Sequence, residues 1–106
     1  MINDVYELAR THLEEAKLDG NGRSSHLFLH EGPLRQTVMA LTAGSRLSEH
    51  VSPGAASLFV VTGRIRLTSA ETTLDLAQGQ LAAIPYTRHA VEAVEDSTVV
   101  LTTVIV

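Results

Sequence analysis

Five histidines and no cysteine set the chemical repertoire of this chain. Without cysteine there is no disulfide, no thiolate metal site and no thiol nucleophile. Imidazole titrates near neutral pH, so His12, His26, His30, His50 and His89 are the groups able to move a proton or ligate a metal. His50 stands in the run RLSEHVS, two residues before Ser52, and His89 follows Pro85-Tyr86-Thr87-Arg88. Ser52 is a poor metal ligand, because its hydroxyl stays protonated at neutral pH, and beside Pro53-Gly54 it is also ordinary turn chemistry. No serine sits in a nucleophile elbow, and no glycine-rich loop has the spacing that cradles phosphate. Arg46 and Arg88 could meet an anion, although lone arginines are usually solvated.

The elements that must position these groups are one helix and a series of short strands. Val5, Leu8, Ala9, His12, Leu13 and Ala16 recur at three- and four-residue intervals, one apolar stripe with His12 at its edge. Asn3 or Asp4 can cap the start, Asp4 and Glu7 having capping-box spacing, Lys17 complements the helix dipole, and Gly20-Asn21-Gly22 stops the helix. From Ser24 onward, runs rich in Val, Leu, Ile and Thr are punctuated by Gly, Pro, Ser and Asp. Strands are expected at 25–30, 34–42, 46–52, 57–62, 64–69, 72–76, 81–84, 89–94 and 98–105. Regular short strands without strand–helix–strand alternation predict an all-β sandwich or barrel rather than a parallel sheet. The expected organisation is an N-terminal helix over 1–20, packed on the barrel or on a partner, and one β-barrel domain over 24–106.

Composition removes several function classes. The chain has 106 residues, 8 Lys and Arg against 12 Asp and Glu, and a net charge of −4, which is no nucleic-acid footprint. Only 4% of residues are aromatic, too few for a base-stacking surface, so the core must be aliphatic. With 44% hydrophobic residues, disorder is not expected. No segment approaches the roughly 18 apolar residues of a membrane span, and the acidic N-terminus is no signal peptide. A soluble cytoplasmic protein, free of membrane and nucleic-acid partners, is expected.

Strand parity says where some side chains face. In RIRLT, Ile65 and Leu67 point one way and Arg64, Arg66 and Thr68 the other. In HAVEAVE, Glu92 prefers solvent, which turns His89, Val91 and Ala93 inward. In RLSEHVS, Leu47, Glu49 and Val51 share one face while Arg46, Ser48, His50 and Ser52 share the other, so plain hydrophobicity turns His50 outward. His26 and His30 share parity with each other.

The run GSRLSEHVSPGAASLFVVTG, Gly44 to Gly63, resembles the first motif of the cupins, in which Gly, His-x-His, Glu and Gly follow at set intervals. Gly44, His50 and Gly63 fall in register, Ser52 stands at the second His position and Ala56 at the Glu position. GQLAAIPYTRHAV resembles the second motif, Gly, Pro-x-Gly, His. Gly79 and Pro85 are in register, Thr87 replaces Gly, and His89 arrives one residue early; with a full-length turn, Ala90 would hold the ligand slot. The resemblance covers about Gln36 to Val106 and includes the short gap between the motifs.

The resemblance implies a small RmlC-like cupin, an all-β antiparallel jelly-roll barrel with one short N-terminal helix. Closure of the barrel would remove exposed edges. It implies that His50 and His89 point into the barrel, against the parity reading for His50. In metal-binding cupins three His and one Glu hold a divalent cation; here only His50 and His89 remain of that set. The expected cofactor is therefore none or a weakly held divalent transition metal on His50 and His89. The expected pocket holds His50, Ser52 and His89, with Tyr86 and Gln36 as further candidates. Two functional readings result. One is a cupin that binds a small molecule with its metal site degraded; the alternative is a metal-dependent enzyme of dioxygenase or isomerase type with a reduced His set. A homodimer is expected, with the helix and the two strands before the motifs offering material for a shared sheet.

Overall fold

An aspartate begins the helix and small side chains dock it. The computed structural model describes residues 2–50, 54–84 and 88–105, the side chains of residues 48–50 excepted. Helix α1 spans Val5–Leu18, and the Asp4 carboxylate accepts from the Glu7 N–H at 3.1 Å, so one of the unpaired first-turn donors is satisfied. Asp19 ends the helix in extended backbone, its N–H donating to the Ala16 carbonyl. Ala9 and Ala16 are buried; with only a methyl group each, they let the helix lie close to the strands beneath.

Nine strands follow: β1 Arg23–Glu31, β2 Leu34–Leu41, β3 Arg46–His50, β4 Ala55–Thr62, β5 Arg64–Ser69, β6 Thr73–Ala77, β7 Leu81–Ala83, β8 His89–Ala93 and β9 Ser97–Val104. Each corresponds to one of the runs expected from sequence. They form a five-stranded sheet in the order β1-β2-β9-β4-β7 and a four-stranded sheet in the order β3-β8-β5-β6, with every pairing antiparallel. The architecture is the all-β antiparallel jelly roll with one N-terminal helix.

Between the sheets, Leu58, Val60, Ile65, Leu67, Leu76, Ile84, Val91 and Val99 form the main core, with Met39, Leu47, Ala56 and Leu101 packed against it. The core is wholly aliphatic, as the scarcity of rings requires. In β5 Ile65 and Leu67 are buried while Arg64, Arg66 and Thr68 are exposed. A second cluster lies on the outer face of the five-stranded sheet, where Ala9 meets Val61 and Val100, flanked by Val5 and Phe28. The stripe of α1 therefore covers the sheet of its own chain.

Closure is where the structure departs from expectation. Among the described residues no ladder joins the two sheets, so the barrel is two facing sheets with edges at β1, β7, β3 and β6. Two of these edges are short: β7 has three residues and pairs with β4, and β3 has five and pairs with β8. Each spends its ladder on one neighbour.

Candidate ligand site

Strand β8 carries the clearest site residue. His89 shares a strand face with Val91 and Ala93, the face turned toward the core, and is 1% exposed. Ala90 lies on the opposite face. It lines a shallow outward depression with Arg46, Arg66, Thr68 and Glu92. His89, and not Ala90, is thus the inward residue after the second motif, as a shortened turn requires.

Residue 50 is brought opposite residue 89. The β3–β8 register pairs Arg46 with Glu92, Leu47 with Val91, and then His50 with His89. The step from 47 to 50 spans three residues on β3 against two on β8, which is a β-bulge. Simple alternation along RLSEHVS assigns 47 and 50 to opposite faces. The extra residue cancels that parity, because Val91 and His89 are two apart on one face of β8. What the register fixes is the pairing of position 50 with position 89.

The other expected site residues separate. Ser52 and Tyr86 lie outside the described residues, as does the side chain of His50. Ala56, at the carboxylate position of the first motif, packs against the inter-sheet core and offers no donor atom. Gln36 is corrected as a pocket residue. It shares strand parity with Val38 and Ala40, and Val38 pairs with Val100, which packs under Ala9 of the helix. That face of the sheet looks toward α1. Gln36 Nε2 donates there to Thr102 Oγ1 at 3.2 Å, across the β2–β9 pair.

Two histidines without a motif do meet. The rings of His12 and His26 stack with centroids 5.6 Å apart and planes 12° apart. His12 Nδ1 lies 2.8 Å from Ser24 Oγ and 3.2 Å from Glu15 Oε2, and Ser24 Oγ donates to the same carboxylate at 3.0 Å. The cluster joins α1 to β1. The shared parity expected of His26 and His30 is broken by a bulge between Leu27 and Leu29, which sets His26 opposite Val38 and His30 opposite Arg35. Only the i, i+3 spacing of His12 and Glu15 is visible in the sequence; the stack depends on helix docking.

The outer face of the four-stranded sheet is a charged surface. Arg46 pairs in register with Glu92, Glu92 with Arg66, and Arg66 with Asp75, so sign alternates across all four strands. Arg66 Nε donates to Asp75 Oδ1 at 2.9 Å, and this hydrogen bond and the aspartate charge raise the guanidinium pKa further. Arg46 is part of this row, and Arg88 is exposed.

No protein-family model matches the chain, and no curated protein does. Solved structures do. The chain is similar to a conserved protein of unknown function from Streptococcus pyogenes, at 28% identity and TM-score 0.75, over 83% of this chain and 78% of that one. It is similar to a cupin superfamily protein from Desulfitobacterium hafniense, at 18% identity and TM-score 0.76, over 86% of this chain and 87% of that one. This chain is a small cupin-fold domain. The same fold superposes on a salicylate 1,2-dioxygenase from Pseudaminobacter salicylatoxidans at TM-score 0.79 and 15% identity, over 92% of this chain and 33% of that one. Within the cupin fold described here, no group of three or more His, Asp or Glu side chains is placed to hold a metal ion among the described residues. No helix among them is long and apolar enough to cross a membrane.

Proposed function

We propose that this cupin-fold domain binds a small molecule between its sheets, at the ends of β3 and β8 where residues 50 and 89 are paired, without a tightly held metal. The observation that carries the reading is a histidine 1% exposed on the inward face of β8, with a second histidine as its register partner. Opposed residues of an antiparallel pair belong to one face. Around that pair the inward residues are aliphatic, Leu67, Val91 and Ala56 among them, which suits a mostly apolar guest oriented by a few polar groups. Ser52 and Tyr86 are the further polar candidates.

The donor set does not fit a firmly bound divalent cation. The carboxylate position is Ala56, a methyl group in the core, and the second His position is Ser52. Two imidazoles hold such an ion far more weakly than three or four ligands do. The alternative, a metal-dependent enzyme on a reduced set, has the fold shared with the dioxygenase in its favour and the missing carboxylate against it.

Protein purified without a His tag separates the two. Metal-free, folded protein whose melting temperature rises with members of a small-molecule panel, a rise lost in His89→Ala, supports binding. A near-stoichiometric transition metal that disappears in His89→Ala overturns it in favour of the enzyme. A melting temperature unmoved by every panel member also counts against the pocket.

A homodimer belongs to the same proposal. β1 is an edge strand of nine residues, material for pairing with a second copy. Light scattering at micromolar concentration should give twice the 11.4 kDa chain mass; the monomer mass would refute it.

A further inference from the structure

The two sheets part along a seam between the edge strands β1 and β3. A side chain spans it: Arg23 Nη1 donates to the Arg46 carbonyl oxygen at 3.0 Å. Beside this bridge lies a cavity of about 340 Å³, whose lining includes Asp19, Arg23, Ser25, Met39, Leu41 and Leu47. Met39 and Leu47 belong to the partly buried shell of the inter-sheet core, so the floor is apolar and the rim polar. Ligand pockets run from roughly 300 to 1,000 Å³, which places this one at the small end.

One carboxylate and one guanidinium stand at the rim, and they differ in how they are engaged. The Asp19 carboxylate is engaged in its own turn, with Oδ2 accepting from the Asn21 N–H at 2.9 Å and the Arg23 N–H at 3.3 Å. Arg23 has no carboxylate within ion-pair distance among the described residues. Its bond to the Arg46 carbonyl uses one nitrogen and holds the planar fork in place. The remaining donors have the geometry for a carboxylate.

We propose that the seam binds a small carboxylate with an aliphatic body, the anion on Arg23 and the chain against Met39, Leu41 and Leu47. Among the described residues the cavity's lining does not include position 89, so the assignment stands apart from the ligand site above.

Amide NMR of the full chain, titrated with sodium hexanoate and separately with hexanamide, tests it. Hexanoate should give saturable shifts centred on Ser25, Met39 and Leu47. Hexanamide, matched in size but neutral, should bind at least about tenfold more weakly, the discrimination expected of a charge-assisted hydrogen bond. Arg23→Gln should abolish the discrimination while leaving spectral dispersion unchanged. The comparison of the two ligands on the natural sequence stands even if that variant does not fold. Absence of saturation, equal affinity for the two ligands, or shifts centred on β8 around His89 would each overturn the assignment. So would a seam filled by a second copy, seen as a dimer whose β1 and β3 amides do not respond to hexanoate.

Discussion

Replacing Gly63 and Gly79 separately with alanine isolates what the corner between β4 and β5 contributes. Both residues are left-handed, with φ of +88° and +83°. Alanine costs about 1–2 kcal/mol at either place, because its Cβ crowds its own backbone. Their surroundings differ. A Cβ at Gly79 meets nothing within 4 Å, whereas one at Gly63 runs into the Asp96 carbonyl oxygen and the Ser97 hydroxyl and lies 2.7 Å from Ser97 Cα. Backbone atoms cannot rotate aside, so the Asp96–Ser97 corner has to move. Buried Ser97 holds that corner: its hydroxyl accepts from the Arg64 N–H at 2.9 Å and reaches the Arg64 and Glu95 carbonyls at 2.9 and 2.8 Å. At about 0.5–1.5 kcal/mol each, losing two such bonds adds about 1–3 kcal/mol. Gly63→Ala is therefore expected to lose about 2–5 kcal/mol and Gly79→Ala about 1–2 kcal/mol. Urea unfolding reads the difference as a shift in midpoint at constant slope. Equal losses in the two variants would refute the steric argument, and so would a Gly63→Ala protein as stable as the parent.

Three further substitutions probe the frame. Asp4→Ala removes the N-cap and should cost about 0.5–2 kcal/mol, read as a lower melting temperature that Asp4→Asn largely restores. Leu58→Ala empties a fully buried position between the sheets and should lose about 2–5 kcal/mol in urea, whereas Leu18→Ala, at an exposed helix end, should stay within about 0.5 kcal/mol of the parent. Asp75→Asn breaks the Arg66 ion pair on a solvated face and should leave the urea midpoint unchanged at both low and high salt.

Much of this protein was legible in one dimension. The helix, its Asp4 cap and all nine strands follow from local rules: apolar spacing of three and four residues for α1, short β-branched runs between turn residues for the rest. Alternation also located the core face of β5 and β8, because both strands pair without interruption to each other from Ile65–Ala93 to Ser69–His89. Gly63 and Gly79, legible as turn residues and as motif letters, are left-handed corners between strands.

What sequence could not supply is anything that depends on a register with a distant partner. A bulge is a mismatch between two strands, here β3 and β8 or β1 and β2, and neither strand carries it alone. One extra residue in β3 precedes the pairing of position 50 with position 89, and another in β1 separated His26 from His30. Gln36 reads like any strand residue, yet the docking of α1 decides that its face looks to the helix. The open seam between β1 and β3, with Arg23 spanning it, likewise follows from how far each edge strand can extend its ladder. Local pattern determines which segments are strands; the hydrogen bonds between strands far apart in the chain decide which side chains meet.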